Sequence, residues 1–445
     1  MNRLSLTAFE EYMLWDDRPA YPSSGFARLR FAGRVNREAL EAALRTVMPR
    51  HPLLSSLIEM RWGRPSWCVQ SGAMPRIEWL AGPTGQALPE AGHQDLRKEI
   101  GLRLFVVENG ASCDVTLQFH HACCDGAGIE VFLNDLLIAY AFEKSVPKGE
   151  LRLPSLDPGL LAHRGSHGLT LRKLAAMLPR QLPGLPGVGY FFARSPVPLL
   201  PHSASPHDDP PPRGYPATCT RVFTREETDA YHATAKRLGV TSNDLMIRDA
   251  YLALNEWRGR NGMKDDSWLR LMVPMNLRTK ADRLLPAANS VGSIFMDRRG
   301  RDFADPARLL AGIAQELQIV KDRGLGLIFV YSLNLLRLLP GALRLTARQN
   351  KCTVSGIFSN AGRMARRCPL PRDNGRIVAA DLVLEGIDGA VPVRPYNCVS
   401  FFANDYARRL SVMLHYDPRS LSPEQADDLA STFARRVQAT AASQA

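Results

Sequence analysis

The chain has 445 residues, 45% hydrophobic and 22% charged, with a formal net charge of +12. This is ordinary globular composition, long enough for two or three domain-sized units and a substantial core. The basic balance favours acidic partners such as nucleic acid, anionic lipid, phosphorylated cofactors or acidic carrier proteins. The arginines are dispersed, however, and no zinc-finger or RNP pattern is present, so tracking along a nucleic acid is set aside.

In chain order, GFARLRFAG reads as a strand. Asn36 then caps VNREALEAALRTVM, a helix with Leu40, Ala43, Leu44 and Val47 on one face. RHPLLSSLIE follows as a turn and a strand. Residues 102–121, LRLFVVENGASCDVTLQFHH, predict a hairpin joined around Asn109-Gly110. GIEVFLNDLLIAYAF is an amphipathic helix with Ile129, Phe132, Leu133, Leu136 and Tyr140 in register.

Between residues 147 and 216 the texture changes, with fourteen of the 32 prolines. Its end, SPVPLLPHSASPHDDPPPRGYP, is incompatible with regular helix or an interior strand. The stretch reads as a crossover between two lobes. Within it, LTLRKLAAMLPRQLPGL is a short basic amphipathic piece, either a helix docked on the body or a peripheral contact with membrane or a partner.

The second half resumes the mixed pattern. Thr224 and Glu227 form a capping box for TREETDAYHATAKRLG, closed by Gly239, and TSNDLMIRDAYLALNEW is a second helix. SWLRLMVPMNLR, NSVGSIFMD, TVSGIFSNAGR and RRLSVMLHYDP read as strands. Residues 325–339, LGLIFVYSLNLLRLL, are too short for a membrane span and contain Arg337, so a core helix is expected. Ser422-Pro423-Glu424-Gln425 opens the final helix. The resulting organisation is an N-terminal lobe over 1–146, the crossover over 147–216 and a C-terminal lobe over 217–445.

The eight cysteines show no CxxC spacing, and the start MNRLSLTAFEEYMLWDD is interrupted by acids before any apolar h-region forms. Reduced thiols in a cytoplasm are the expectation.

The densest chemistry is QFHHACCDGAG at 118–128. A metal site would use His121 and Asp125 at helical spacing, but a strand precedes the one and a glycine follows the other, and no third ligand cluster accompanies them. A cysteine nucleophile would be Cys123 or Cys124 beside a histidine. Small residues are also what a tight strand-to-helix turn needs. A general base would be His121. Alternation places Val115, Leu117, Phe119 and His121 on one face, so His121 is the last residue there, where the strand opens. Two core histidines with satisfied edges are the alternative.

The string HHxxxDG resembles the signature of the chloramphenicol-acetyltransferase-like superfamily. Its members include peptide condensation domains, wax ester synthases, alcohol acetyltransferases and polyketide-associated acyltransferases. RHPLLSSLIE, GVTSNDLMIRDAYLAL, VPMNLR with NSVGSIF, and SNAGR resemble further family segments in the family's order. The PLW tripeptide of the wax ester synthases is not found. The resemblance implies an α+β fold of two chloramphenicol-acetyltransferase-like lobes, each a mixed sheet with packed helices, and an active-site tunnel between them.

It further implies that His121 acts as base on an acceptor nucleophile, with His120 beside it. Asp125 would hold the loop, with Arg278 as its candidate partner, and Gly126 would keep the backbone close to the tunnel. Asn360 or Ser359 would stabilise the oxyanion. No metal and no permanently bound cofactor are expected. The donor would be a coenzyme A or phosphopantetheine thioester, brought as acyl-CoA or by an acyl carrier protein. The acceptor would be a small hydroxyl compound or, as second choice, an amine. The competing expectations are amide formation in the manner of a condensation domain, or a silent module that binds a carrier protein.

Overall fold

The computed structural model describes residues 3–61, 63–145, 150, 152–167, 179, 181, 184–201, 208–263, 266–349 and 351–443. Its strands form two large sheets and one small one. The first large sheet has the order Arg372–Asp373, Arg376–Ala379, Leu382–Ala390, Ser24–Ala32, Ser112–His120, Leu102–Asn109, Arg76–Ala81. The second has the order Val291–Arg299, Trp268–Asn276, Gly356–Arg363, Val399–Tyr406, Arg409–Tyr416, Ala217–Val222. Both mix parallel and antiparallel pairs. The small sheet joins Arg3–Ser5, Arg64–Val69 and Ser56–Arg61. The fold is α+β with two sheet-rich lobes.

Each large sheet carries its own helices and core. The helix Arg37–Val47 starts where the Asn36 side chain accepts from Ala39 N at 2.8 Å. It buries Ala39, Leu40, Ala43, Leu44 and Val47, the apolar stripe its sequence spells out. It packs with the helix Gly126–Lys144 on Val115, Leu117 and Phe119 of the first sheet. In the second lobe, Ser242–Arg260 and Pro423–Ala442 pack together over Leu271, Phe358 and Phe401. Both capping boxes read from the sequence form, Thr224 with Glu227 and Ser422 with Gln425.

The division of the chain at residue 216 does not carry through to the sheets. The strands between Arg372 and Ala390 leave the second half and extend the first sheet, Leu382–Ala390 pairing with Ser24–Ala32. Asp388 on this insertion accepts from buried Arg28 Nη2 at 2.9 Å and from Ser411 Oγ at 2.9 Å, so one carboxylate joins both sheets. The crossover is anchored as well. Arg164 forms a paired contact with Glu10, Nε to Oε1 and Nη2 to Oε2 both at 2.6 Å, and Trp67 Nε1 donates to the same carboxylate at 3.0 Å. The basic amphipathic piece at 169–185 lies almost wholly outside the described residues.

One helix departs from expectation. Residues 325–339 form a short 3-10 turn and the helix Ile328–Arg337, but only Val330 and Leu333 of that helix are buried. Leu335, Leu338 and Leu339 are 66%, 76% and 60% exposed. It is a surface helix with an apolar tip rather than a core helix. Among the described residues, no helix is long and apolar enough to cross a membrane.

Candidate active site

The strand Ser112–His120 delivers the histidine pair to the end of the first sheet. The strand stops one residue short of the sequence reading, but pairing continues, since His121 N donates to Ser23 O at 2.7 Å. The chain then turns, and the helix Gly126–Lys144 begins with Asp125 as its cap, the carboxylate accepting from Gly128 N at 2.7 Å. The helix therefore starts two residues before the apolar periodicity suggests, because a capping carboxylate satisfies its first turn.

The two histidines have different surroundings. His120 is fully buried. Its Nδ1 accepts from Ala122 N at 3.1 Å, and its Nε2 lies 3.5 Å from Asp17 Oδ2. Asp17 also meets His93 Nε2 at 2.6 Å and accepts from Ser23 N at 2.8 Å. Burial pushes the Asp17 carboxyl up, but His120 and His93 outweigh it and hold the group well below the usual carboxylate range. His120 is a strut inside this cluster.

His121 lies deep but keeps part of its surface accessible. Its Nδ1 is enclosed and has no hydrogen-bond partner among the described residues, and its ring stands edge-on to Phe9 at 6.4 Å and tilted against Phe119 at 6.4 Å. Burial pulls its pKa below the ordinary imidazole value, against the opposing pull of its own carbonyl and Asp125. The neutral ring is thereby favoured.

Asp125 turns the other way. Its Oδ2 accepts from Arg278 Nη1 and from Ser290 N, both at 2.8 Å, while Arg278 Nη2 donates to Ala288 O at 2.8 Å. Burial raises the Asp125 pKa, yet Arg278 and the two backbone donors bring it below the ordinary carboxylate value. Its carboxylate thus faces the helix start and the second half, away from His121.

Cys123 and Cys124 are fully buried, and burial pushes both thiols far up. They pack as small apolar residues in the first core. A side chain at Gly126 would meet no atom of the described residues within 4 Å, whereas one at Gly128 would fall 2.6 Å from Ala288 O. The close approach to the second half is at Gly128, and the open space is over Gly126.

Asn360 Nδ2 donates to Asn243 Oδ1 at 3.1 Å, and its Oδ1 accepts from Gly362 N at 2.8 Å. Ser359 pairs with Phe402 in the second sheet. Among the recorded contacts of the described residues, none joins either to the loop at 120–126. Asn289, by contrast, was not assigned from the sequence. Its Nδ2 donates to His121 O at 2.7 Å and to Ala122 O at 2.9 Å. The signal was available in NSVGSIF, the segment that opens with it.

A cavity of about 260 Å³ adjoins this loop. Phe9, His167, Asn289, Val330, Asn334 and Arg337 are among its walls. His121 is not itself a wall residue. Phe9 and Asn289 line the cavity and also contact His121. His167, in the left-handed region at φ 49°, places Nδ1 3.4 Å from Ser290 Oγ.

No family model matches the chain. An uncharacterized protein of Mycobacterium tuberculosis, Rv2305, is 25% identical over 379 residues, covering 81% of this chain and 83% of its own. Among solved structures, the first condensation domain of the calcium-dependent antibiotic synthetase, in complex with a substrate analogue, matches with a TM-score of 0.70 at 15% identity, covering 100% of this chain and 97% of that one. The fold is that of the condensation domains it matches. The starter condensation domain of rhizomide synthetase, solved with C8-CoA and Leu-SNAC, matches this condensation-type fold at 0.64 and 15% identity over 99% of this chain and 95% of that one. Polyketide synthase associated protein 5 from Mycobacterium tuberculosis matches at 0.62 and 14% over 99% and 98%.

Proposed function

We propose that this condensation-type chain is an acyltransferase that moves an acyl group from a thioester, acyl-CoA or an acyl carrier protein, to a hydroxyl acceptor. The observation that carries the reading is the contrast inside HHxxxDG. His120 is fully buried beside Asp17 and Asp125 is held by Arg278, while His121 keeps part of its surface accessible and its imidazole is neutral-favoured.

With Nδ1 enclosed, Nε2 is the nitrogen left for the acceptor. It takes the hydroxyl proton as the oxygen attacks the thioester carbonyl. The tetrahedral oxyanion collapses, the C–S bond breaks, and the leaving thiolate recovers the proton from the imidazolium. An acyl thioester is already activated, so no covalent enzyme intermediate is needed. Alignment and one proton transfer suffice, the latter supplying about 10²–10⁴-fold. Gly126, beside open space, is assigned the close backbone approach to substrate. Asn360 remains the candidate oxyanion donor, its Nδ2 turning from Asn243 Oδ1 and Met246 Sδ to meet the developing charge, with Ser359 as its alternate. No metal or resident cofactor enters the scheme.

Amide formation is the second reading, favoured by the condensation-domain neighbours, one of which was solved with Leu-SNAC. Thiol release from an acyl-CoA panel, with and without alcohols and amines, tests both. Acceptor-dependent release that disappears in His121→Ala supports acyl transfer, and the responding acceptor separates ester from amide. No release with any pair, alongside capture of an acylated carrier protein, would instead identify a silent binding module.

A further inference from the structure

The apolar tip at residues 335–345 has no role in the chemistry above. The helices Ile328–Arg337 and Ala342–Ala347 pack on the helix Ala8–Asp16 through Leu333, Leu343 and Phe9. Their other side carries Leu335, Leu338, Leu339 and Leu345, between 60% and 76% exposed. Four leucines this bare within eleven residues are unusual on a soluble surface.

Charge is patterned around them. Between Asp322 and Asp373 the chain has no acidic residue, while Arg337, Arg344, Arg348 and Lys351 fall there. Arg344, Arg348 and Lys351 are exposed. Arg337 is paired with Glu11 at 2.8 Å, and Arg344 stacks over Trp15 at 5.5 Å. The nearest carboxylates on the supporting helix are therefore engaged, Glu11 by Arg337 and Asp16 by Arg394.

A second acid-free stretch runs between Asp157 and Asp208, and two of its described residues, Gln181 and Phe191, lie alongside. Gln181 Nε2 donates to Gly324 O at 3.1 Å, and Phe191 stands edge-on to Phe295, which in turn meets Phe329 of the first helix. This neighbouring segment exposes Tyr190 and Phe192.

We infer that the leucine tip and its flanking cations form a docking face for an anionic lipid surface, the leucines entering the acyl boundary while the cations meet headgroup phosphates. Leucines supply the insertion, and the carboxylate-free flanks supply the sign of the charge. The face has a functional position too. Val330, Asn334 and Arg337 of the same helix line the cavity beside the HHxxxDG loop, so docking sets the cavity next to the bilayer. On the acyl-transfer reading, this favours a membrane-resident alcohol as acceptor. The docking itself does not depend on that reading.

Vesicle flotation tests it with the full chain. Phosphatidylcholine vesicles are compared with equimolar phosphatidylcholine–phosphatidylglycerol vesicles, using wild type, the triple variant Leu335→Ser/Leu338→Ser/Leu339→Ser, and Arg344→Gln/Lys351→Gln. The expected result is binding to the anionic vesicles that weakens at least about tenfold in the leucine variant and several-fold in the cation variant. Both variants should keep the wild-type melting temperature and thiol release with soluble substrates. Binding that is absent in wild type, or that the leucine variant retains in full, overturns the inference, the latter leaving only a diffuse attraction of a basic protein. Loss of binding to an acidic carrier protein in the leucine variant, without vesicle binding in wild type, also overturns it and assigns the face to protein docking.

Discussion

Arg278 Nη1 lies 2.8 Å from Asp125 Oδ2, joining residues 153 positions apart across the two halves of the chain. Both groups are largely buried, so the pair acts as a fastener whose loss exposes an uncompensated charge. Asp125→Ala or Arg278→Ala is expected to lower stability by about 3–5 kcal/mol and to lower turnover with it. Chemical denaturation read beside activity checks this. An inactive Asp125→Ala with a wild-type denaturation curve would show that the carboxylate acts in the chemistry instead.

The same pair sets an acid limit. The Asp125 pKa is depressed in the folded chain, by Arg278 foremost, despite burial. A depressed carboxylate contributes stability that is complete above its unfolded value and is lost as pH falls through the folded one. The melting temperature should therefore drop below about pH 4, and Asp125→Asn should flatten that part of the curve. An identical acid slope in the two proteins would count against the pair as its source.

His121→Ala is expected to lose most turnover, about 10²–10⁴-fold, with little change in melting temperature, since among the described residues no side chain is hydrogen-bonded to its Nδ1. Burial lowers its pKa, so the neutral base persists below the ordinary imidazole value of about 6.5. The acid limb of kcat/KM should then lie below that pH. A limb at or above it would assign the titration to another group.

Much of this was legible in the sequence, and the exceptions have physical reasons. The helix stripe at Leu40, Ala43, Leu44 and Val47 is visible because burial writes a periodic pattern. Both capping boxes are visible because a cap is local chemistry. The pairing of Leu382–Ala390 with Ser24–Ala32 was not legible, since strand alternation carries no address for its partner. The helix over residues 328–337 misled for a related reason. Its apolar run reports what could be buried, and the fold buries only Val330 and Leu333 of it. At the site, residue types pointed to His121 and Asp125, but the hold of Asn289 on the His121 carbonyl needed a contact that only the folded chain brings together.

Asn289 is a positioning residue, so its loss should be felt in geometry. Asn289→Ala leaves the buried carbonyls of His121 and Ala122 without their donor, which costs about 1–3 kcal/mol. The expected signature is a fall in kcat larger than the change in KM, with the pH limb of His121 unmoved. Asn289→Asp, which lacks the donor but keeps the shape, should not rescue turnover. If it does, the amide is not what holds the loop.

The two motif glycines separate structure from substrate space. A Cβ at Gly128 would sit 2.6 Å from Ala288 O and 2.9 Å from Ala288 N, both backbone atoms that cannot swing aside. Gly128→Ala should therefore unfold at lower denaturant. A Cβ at Gly126 meets none of the described residues within 4 Å, and Gly126 takes ordinary helical backbone at the start of its helix, where alanine is favoured over glycine. Gly126→Ala should fold with wild-type stability. If the space over Gly126 belongs to the reacting groups, that methyl will raise KM or reduce kcat in the thiol-release assay while the denaturation curve stays in place. Equal turnover in Gly126→Ala and wild type would mean that the substrates pass elsewhere, and the close approach assigned to this residue would have to move to another wall.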